Sequence, residues 1–441
     1  MLVFDDWPYT EAIVNARRLV KKVIPRELFE AAAPYGHMAE AVVYNTINRF
    51  PARGLKVIGV TGTNGKTTTA TMIYTMLSNA GYKTGLMTTV SYGVSGNLRP
   101  NTHMTTVPIP LLMKRLKWMR AHDIEWLVLE TSSHALAQYR VWGMPYNVAV
   151  WTNLTHEHLD YHKTFELYRE AKVKLFKMTA RNRKGLRTGI VNADDPSWHY
   201  FANAVPDAVS YGLDNGDVRA DDVRVTNKGS DFTMRYQDMK LKLHLNIPGE
   251  FNVYNALAAA ATGAVVGLND KQIAEGLAAF TGVAGRMEVV DAGQPFAVLV
   301  DYAVTPDALE KALQSLRHTT KGKIHLVFGA TGDRDKTKRP VMGEIAVRNA
   351  DRLYLTDDET YTEDPDAIRK AVYKGIMVAK GKAKTEVIAD RREAIRAAFK
   401  AAKAGDAVLL TGIGHESVRN MGGKEIPWDE REVARKLLHE L

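Results

Sequence analysis

The stretch Gly59-Val-Thr-Gly-Thr-Asn-Gly-Lys-Thr-Thr-Thr69 decides the fold, because its glycine-rich loop lies between an apolar run and a helical pattern. The preceding run Lys56-Val-Ile-Gly-Val60 is typical of a buried strand. In such a unit backbone N–H groups surround phosphate oxygens, Lys66 reaches the terminal phosphates and Thr67 offers a hydroxyl to Mg²⁺. The sequence therefore predicts ATP or GTP bound by Gly62, Thr63, Asn64, Gly65, Lys66, Thr67 and Thr68.

The composition is that of a soluble protein with several domains. A chain of 441 residues has room for about three domains, and 25% charged residues are ordinary for a globular protein. The net charge of +9 comes from scattered basic residues that do not alternate with aromatic ones, which argues against nucleic acid binding. The longest mostly apolar segment, 256–268, is shorter than a membrane span of about 20 residues.

Two further features of the sequence indicate the cellular compartment. The chain has no cysteine, which excludes disulfides, thiolate metal sites and a cysteine nucleophile, and suits a reducing compartment. Its first residues, Met1-Leu-Val-Phe-Asp-Asp6, lack the basic start and apolar core of a signal peptide. We therefore expect a cytoplasmic protein, and a monomer.

The N-terminal half of the chain predicts a short helical segment followed by an α/β domain. Residues 1–52 carry apolar positions at helical spacing, over 12–23 and over 28–47. Residues 53–284 then alternate short apolar runs with amphipathic stretches, which predicts a central parallel-sheet ATP-binding domain. Within it, period-two alternation over 208–248 predicts an antiparallel flap.

Residues 285–441 repeat the α/β alternation and predict a separate, C-terminal Rossmann-like domain. A glycine-containing stretch at 282–293 is the expected hinge between the two domains. The fold class is therefore α/β throughout, with strands of the second domain predicted at 297–300, 324–328, 352–355, 386–388 and 407–410.

Candidate metal ligands follow two of the predicted strands. Glu130 ends the run Trp126-Leu-Val-Leu129 and begins Glu-Thr-Ser-Ser-His134, so its carboxylate is expected at the ligand-binding edge of the sheet, or as a helix N-cap. The next strand leads into Asn153-Leu-Thr-His-Glu-His-Leu-Asp-Tyr-His162, which holds three histidines. From residue type alone, zinc, magnesium with one imidazole and a polar loop of hydrogen-bonded histidines all stay open.

Two helical patterns carry weaker signals. Lys172, in Tyr168-Arg-Glu-Ala-Lys-Val-Lys-Leu-Phe176, is by its pattern alone typical of a surface or snorkelling lysine. Asn252 and Asn255 lie three residues apart on one helical face, where their amides could contact an adenine edge or serve as an N-cap and one polar position.

Taken together, these motifs resemble the Mur ligase family, and within it the UDP-N-acetylmuramyl-tripeptide synthetase branch. The similarity runs from about residue 56 to the C-terminus. Ordered motifs carry it, namely Thr-Gly-Thr-Asn-Gly-Lys-Thr-Thr (61–68), Glu-Thr-Ser-Ser-His-Ala-Leu (130–136), Asn-Leu-Thr-His-Glu-His-Leu-Asp-Tyr-His (153–162), Ala-Lys-Val-Lys-Leu-Phe (171–176), Gly-Arg-Met-Glu (285–288), Gly-Asp-Arg-Asp-Lys (332–336) and Gly-Ile-Gly-His-Glu (412–416).

The resemblance implies an ATP-dependent amide ligase of peptidoglycan precursor synthesis. ATP would phosphorylate a substrate carboxylate, and the amine of an amino acid would displace phosphate from the acyl phosphate. Two Mg²⁺ ions are expected. Lys66 would hold phosphates, and Lys172 matches the lysine that the family carbamylates, because a carbamate presents oxygens to Mg²⁺ where an ammonium repels it. The implied metal ligands are Thr67, Glu130, His158 and Lys172.

The remaining implied contacts divide among the three substrates. Asn252 and Asn255 would face adenine, Arg286 the phosphates and Asp301 the ribose. The acyl substrate, expected to be a muramyl peptide, would contact Thr105, Thr106, Ser133, Gln138 and Arg140. The free amino acid would contact Arg334, Asp358, Tyr361, Gly412 and Glu416.

The chain departs from the family pattern in four places. Only about 55 residues precede the phosphate loop, so the acyl donor is expected to differ from the usual UDP-linked dipeptide or to be bound by a more compact segment. Asp358-Glu-Thr-Tyr361 replaces Asp-Asn-Pro-Arg of the diaminopimelate-adding members, and without that arginine fork we expect another amino acid, such as lysine. Val304 and Ile413 replace a histidine and a lysine near the closing interface.

Other functions stay open on the sequence. A related ligase of folyl- or polyglutamate type needs the same core motifs. A nucleotide-binding regulatory module that has lost ligation is compatible with Val304, Ile413 and the short N-terminal segment. A motor or helicase is disfavoured, because no basic stripe or stacking aromatics accompany the loop.

Overall fold

The computed structural model describes residues 26–101, 104–155, 157–226 and 229–441, and two large sheets organise them. The helices are α1 Arg26–Ile47, α2 Lys66–Asn79, α3 Ile109–Arg120, α4 Ser133–Ala137, α5 Leu159–His162, α6 Phe165–Arg181, α7 Trp198–Ala202, α8 Glu250–Val266, α9 Asp270–Ala278, α10 Pro306–Thr319, α11 Lys338–Asn349, α12 Pro365–Val378, α13 Arg391–Ala401 and α14 Glu430–His439. The predicted helix over 28–47 corresponds to α1, and the one over 12–23 lies outside the described residues.

The first sheet has eleven strands in the order β11-β10-β9-β8-β7-β6-β1-β5-β2-β3-β4. They are β1 Lys56–Thr61, β2 Thr84–Met87, β3 Ser91–Val94, β4 Asn97–Pro100, β5 Trp126–Glu130, β6 Tyr146–Trp151, β7 Thr188–Asn192, β8 Asp207–Gly212, β9 Val218–Val225, β10 Ser230–Tyr236 and β11 Met239–Leu245. Its centre is parallel, and β10 pairs antiparallel with both β9 and β11. The predicted parallel sheet with an antiparallel flap is confirmed.

The second sheet has six strands in the order β12-β13-β17-β14-β15-β16. They are β12 Glu288–Val289, β13 Ala297–Asp301, β14 Ile324–Phe328, β15 Arg352–Leu355, β16 Thr385–Val387 and β17 Ala407–Thr411. All pairs are parallel except β12 with β13, which confirms the Rossmann-like prediction. A two-stranded hairpin, β18 Val418–Met421 and β19 Lys424–Pro427, was not predicted from the sequence.

The sequence explains the central strands and the helices that cover them. Strands β1, β5 and β6 are almost wholly buried and mostly apolar, as expected for parallel strands covered on both faces. Local caps begin the helices: Thr164 accepts the Leu167 N–H at the start of α6, and Thr305 accepts the Ala308 N–H at the start of α10. Separate apolar clusters cover the faces of each sheet.

The strand order brings the chemistry-bearing loops together. Strand β1 lies between β5 and β6, and all three run in the same direction. The carboxyl ends of these three strands therefore lie at one edge of the sheet. The glycine loop, Glu130 and Asn153 lie at this edge. Within the described ranges, no helix has both the length and the apolar character needed to cross a bilayer.

Candidate active site

One large cleft contains most of the residues that the sequence singled out. Its volume is about 1640 Å³, and both large sheets contribute to its walls. The predicted residues that line it are Thr63, Asn64, Gly65, Lys66, Thr67, Thr68, Thr105, Glu130, His158, Asn252, Asn255, Arg286, Asp301, Arg334, Tyr361 and Glu416. Residues predicted for nucleotide, metal and amino acid thus face one space.

The glycine loop is shaped by close approaches that only glycine permits. Gly62 has φ 152°, and a Cβ there would lie 1.9 Å from Oγ1 of Thr152. Gly65 has φ 82°, and its Cβ would lie 2.4 Å from Oδ1 of Asn255. The loop backbone therefore packs against Thr152 and Asn255 only because both positions lack side chains.

Thr67 and Glu130 meet at the start of α2. Thr67 Oγ1 donates to Glu130 Oε2 over 3.0 Å, and the same oxygen accepts from the N–H and hydroxyl of Thr89 at 2.8 and 3.0 Å. Glu130 ends β5 and is buried, whereas Ser132 caps α4, so the N-cap reading of Glu130 is wrong. The Lys66 ammonium donates to the Thr63 carbonyl over 2.7 Å.

Lys172 is fully buried, so the surface lysine expected from its helical pattern is wrong. Its Nζ lies 2.6 Å from the Gly62 carbonyl oxygen and 4.4 Å from the centre of the Tyr168 ring. Burial and the nearby Lys66 ammonium lower the pKa of Lys172 well below its ordinary value, against the opposing carboxylates of Glu157 and Glu130. Burial of this kind favours the neutral amine over the ammonium.

His158 stands at the mouth of this region with φ 57°. Its Nε2 lies 3.8 Å from a Glu157 oxygen, and its ring lies 4.7 Å from His134 and 6.1 Å from Tyr168. His162, from the same motif, instead faces Ser133, with Nε2 3.0 Å from the hydroxyl. His156 lies outside the described residues.

The donor set fits a hard cation only in part. Over the described ranges, no three histidine or carboxylate side chains are arranged to hold a metal ion, which disfavours a ready-made zinc centre. Glu130 and Thr67 offer oxygen atoms that suit Mg²⁺. As an ammonium, Lys172 would oppose a cation there, and its lowered pKa acts against that charge.

The two helical asparagines support the glycine loop from α8. Asn255 Oδ1 accepts the Thr69 hydroxyl at 3.1 Å, and its Nδ2 donates to Asn252 Oδ1, also at 3.1 Å. Asn252 Nδ2 donates to the Pro248 carbonyl over 2.7 Å. Gly249 is the N-cap of α8, so the N-cap reading of Asn252 is wrong.

Arg286 and Asp301 form the part of the cleft wall that follows β13. The Arg286 guanidinium lies 4.6 Å from the centre of the Tyr302 ring. Asp301 Oδ2 accepts the Met287 N–H at 2.7 Å. Burial raises the pKa of Asp301 to about 6, although Arg286 and this hydrogen bond act in the opposite direction.

Of the five residues predicted for the acyl substrate, one lines the cleft. Thr105 lines the cleft, and its hydroxyl is 3.0 Å from that of Thr89. Thr106 is buried: its hydroxyl donates to the Glu130 carbonyl and accepts the Ser132 N–H. The others, Ser133, Gln138 and Arg140, lie on and just after α4 away from the cleft lining, and Arg140 donates to the Thr106 carbonyl.

Across the cleft, the second sheet presents Arg334, Tyr361 and Glu416. The Arg334 guanidinium lies 5.1 Å from the centre of the Tyr361 ring. Asp358 and Gly412 lie behind this surface: a Cβ at Gly412 would meet Asp358 Oδ2 at 2.2 Å. Burial raises the pKa of Asp358, against the nearby Arg391 and Arg419.

Two further residues line the cleft and were not predicted from the sequence, namely Glu157 and Asp307. Burial raises the pKa of Glu157, while Lys66, Lys172 and Lys338 act in the opposite direction. Asp307, at the start of α10, accepts a hydrogen bond from Asn64 Nδ2 over 2.5 Å and so joins the two walls. Glu157 could have been noted within the histidine-rich motif, but no local pattern marks Asp307, because its role depends on how the walls meet.

Comparisons with known proteins agree with this geometry. Residues 60–263 match the family described as Mur ligase middle domain, and residues 285–414 match Mur ligase, glutamate ligase domain. A UDP-N-acetylmuramoyl-L-alanyl-D-glutamate--2,6-diaminopimelate ligase of Geobacillus kaustophilus is 41% identical over 91% of this chain and 82% of its own length. The corresponding ligase 1 of Clostridium acetobutylicum is 39% identical over 92% and 83%.

Solved structures extend the likeness to the fold. A UDP-N-acetylmuramoyl-L-alanyl-D-glutamate--2,6-diaminopimelate ligase structure matches with a TM-score of 0.63 at 30% identity, over 93% of this chain and 83% of that one. Folylpolyglutamate synthase of Mycobacterium tuberculosis, complexed with ADP and AMPPCP, matches with a TM-score of 0.70 over 85% and 92%. At 16% identity, the second likeness concerns the fold alone.

Proposed function

The chain belongs to the Mur ligase family, and we propose that it joins an amino acid to a carboxylate of a muramyl-peptide-like donor in the cytoplasm, as a monomer that uses ATP. One observation carries the proposal: the glycine loop, Glu130 and His158 face Arg334 and Glu416 across a single cleft. The first group suits carboxylate activation by a nucleotide. The second suits an amino acid, since a guanidinium can bind its carboxylate and Glu416 its amine.

The residues of the first wall account for activation of the donor. Lys66 and the N–H groups of the glycine loop would bind the terminal phosphates and offset their charge as the donor carboxylate attacks the γ-phosphorus. The bond to the ADP oxygen breaks, and an acyl phosphate and ADP result. The amine then forms the amide bond and releases phosphate, so two protons leave the ammonium in total.

Two Mg²⁺ ions would be held by Thr67, Glu130, His158 and a carbamylated Lys172, and they supply charge neutralisation between carboxylate and triphosphate. Carbamylation requires a neutral amine, which attacks CO₂ and loses a proton. Burial and the nearby Lys66 lower the pKa of Lys172 and so favour that neutral amine. Tyr168, packed against the Lys172 ammonium position, helps to exclude water from it.

The test is direct product analysis with the full chain. The protein is incubated with ATP, MgCl₂, UDP-N-acetylmuramoyl-L-alanyl-D-glutamate and a mixture of amino acids, and products are identified by mass spectrometry. A parallel incubation replaces the purified donor with a low-molecular-mass cell extract, so that a donor other than the UDP-linked dipeptide is detected as well.

We expect one new amide product, with one ADP and one phosphate released for each amide formed. Lys66→Ala should abolish it, while Lys83→Ala, an exposed lysine outside the cleft, should not. Nucleotide binding without any donor-dependent ADP release would instead support the regulatory module. A product formed on a folate or a polyglutamate would support the alternative ligase class.

A further inference from the structure

The excess of positive charge is concentrated in one part of the chain. Basic residues occur throughout the sequence, but no Asp or Glu occurs between Glu40 and Asp123. Residues 41–122 contain ten Lys or Arg residues, whereas the net charge of the whole chain is +9, so the rest of the chain is close to neutral. Such an asymmetry indicates an anionic partner for this part of the molecule.

The fold gathers six of these cations at the edge of the first sheet that lies opposite the cleft. Strands β1, β2, β5, β6, β7 and β8 run parallel, so the segments that lead into them meet at one edge. We call the surface formed by residues 48–56, 80–83, 117–125, 181–187 and 203–207 the amino edge. It contains ten Lys or Arg residues and three Asp or Glu residues.

The cations of the amino edge extend over a broad surface. Arg53, Lys56 and Lys83 are exposed where β1 and β2 begin, and Arg183 and Lys184 are exposed before β7. These strands lie in the order β7-β6-β1-β5-β2. With about 4.8 Å between neighbouring strands, the cations extend over about 19 Å, which is wider than a site for one small anion.

An ordinary structural role explains some of these cations but not all of them. Lys117 and Arg120 lie in the last turn of α3, and Arg181 lies in the last turn of α6, where cations stabilise a helix C-terminus. Arg53 and Lys56 lie outside the helices, so this role does not explain them.

Exposed apolar side chains lie beside the cations. Ile47, at the end of α1, is 71% exposed, and Leu186, just before β7, is 46% exposed. Asn45 and Asn182 each donate to a backbone carbonyl in the residues just before β6, at 3.1 and 3.0 Å, so both apolar side chains flank the start of β6. Aliphatic side chains next to Lys and Arg suit the headgroup region of an anionic bilayer.

A nucleic acid fits this surface less well than a lipid. Single-stranded nucleic acids stack their bases on exposed aromatic rings. The rings of Phe50, Tyr82 and Trp118 at the amino edge are half-buried, and two of them pack against neighbouring rings. The exposed side chains Ile47 and Leu186 are aliphatic, and they match acyl chains better than bases.

We propose that the amino edge binds an anionic phospholipid surface through its exposed cations and the side chains of Ile47 and Leu186. The glycine loop, Glu130 and Glu157 lie at the opposite, carboxyl edge of the sheet. The cleft therefore faces away from the lipid and stays open to the aqueous phase. This interaction goes beyond the proposed ligase function and does not depend on it.

The test is co-sedimentation of the full chain with lipid vesicles, in the absence of nucleotide and donor. Vesicles of phosphatidylcholine are compared with vesicles that contain equal parts of phosphatidylcholine and phosphatidylglycerol. We expect binding to the anionic vesicles only. Binding should be about tenfold weaker in about 0.5 M NaCl than in about 0.05 M NaCl, because salt screens exposed charges.

Substitutions at the amino edge locate the binding surface. A variant that combines Arg53→Gln, Arg183→Gln and Lys184→Gln should bind the anionic vesicles about a hundredfold more weakly, since each cation near the surface contributes about fivefold. Leu186→Ser keeps the charge and should weaken binding about fivefold, because an apolar side chain no longer enters the headgroup region.

The matched control removes the same charge elsewhere. Lys370→Gln, Lys374→Gln and Lys400→Gln, combined on α12 and α13, replace exposed lysines and should leave vesicle binding unchanged. Thermal unfolding shows that both triple variants are folded, and the three single variants are measured if the first one is not.

Three results would overturn the assignment. One is the absence of binding to anionic vesicles in about 0.05 M NaCl, where screening is weak. Another is an equal loss of binding in both triple variants, which would make the effect one of net charge alone. The third is displacement from the vesicles by a single-stranded RNA oligonucleotide that binds more tightly, which would identify a nucleic acid as the partner.

Discussion

The two walls of the cleft differ in how closely they follow the Mur ligase pattern. The wall built on β1, β5 and β6 keeps the glycine loop, Glu130, His158 and Lys172 in order. The opposite wall contributes Arg334, Tyr361 and Glu416, and residues 358–361 lack the Asp-Asn-Pro-Arg motif that the family resemblance led us to expect. We infer that the wall built on β1, β5 and β6 serves the activation step that the resemblance implies, and that the opposite wall, where the chain departs from the quoted motif, serves the acceptor.

The largest expected effect separates the two walls by their partial reactions. Hydroxylamine intercepts acyl phosphates, so donor-dependent hydroxamate reports activation without any amino acid. Lys66→Ala should lower donor-dependent hydroxamate formation about 10³-fold, because one positioned charge at the developing anion is lost. Arg334→Ala should leave most hydroxamate formation and raise KM for the amino acid, because its guanidinium lies beside Tyr361 on the wall opposite the glycine loop. Equal losses of hydroxamate in both variants would contradict the proposal that one wall activates the donor and the other binds the amino acid.

Substitutions of Lys172 test whether a carbamate at this position is needed for activation of the donor. Lys172→Ala should lower hydroxamate formation about 10²-fold, and added formate or acetate should restore part of it by replacing the carbamate. Lys172→Arg should be inactive and resist rescue, because arginine stays charged in a site that favours a neutral amine. An active Lys172→Arg would show that no carbamate is needed.

The sign of the pH dependence follows from the same residue. The pKa of Lys172 is lowered, so its amine stays neutral and open to CO₂ at a pH where a free lysine is protonated. Activity should therefore fall as the pH drops through this lowered pKa, and bicarbonate should delay the loss. The matched control is hydroxamate formation by Lys172→Ala with saturating acetate, which should lack this bicarbonate effect.

The smallest expected effect concerns the contact between the walls. Asp307 places a carboxylate on Asn64 of the glycine loop, where the triphosphate of ATP would add further negative charge. Asp307→Asn should therefore tighten ATP binding about fivefold, equivalent to roughly 1 kcal/mol of like-charge repulsion. Calorimetric titration measures it, with Asp270→Asn at the exposed start of α9 as the control. Weaker ATP binding would instead make Asp307 part of the nucleotide site.

Much of the wall built on β1, β5 and β6 could be predicted, because local sequence determines its strands and loops. A strand, a glycine loop and a helix follow one another along the chain, and Glu130 sits at the end of its own strand. Lys172 could not be predicted from its helix, since its burial depends on packing beneath the glycine loop, and the family resemblance supplied what the pattern missed.

The acceptor wall was harder to predict because distant segments build it. Glu359 and Tyr361 are held by Asn420 and Gly422, some sixty residues further along the chain, through a short hairpin with little apolar periodicity. The five strands β13 to β17 of this half were predicted, since their apolar patterns are local. The meeting of Asn64 with Asp307 depends on the placement of two separate sheets, which no local pattern encodes.

The central claim is that the donor carboxylate is phosphorylated before the amine attacks. The most direct measurement uses a donor labelled with ¹⁸O in its reacting carboxyl group and follows the label into inorganic phosphate by mass spectrometry. We expect one ¹⁸O atom in the phosphate for each amide formed. Phosphate free of the label, released alongside the amide, would contradict it.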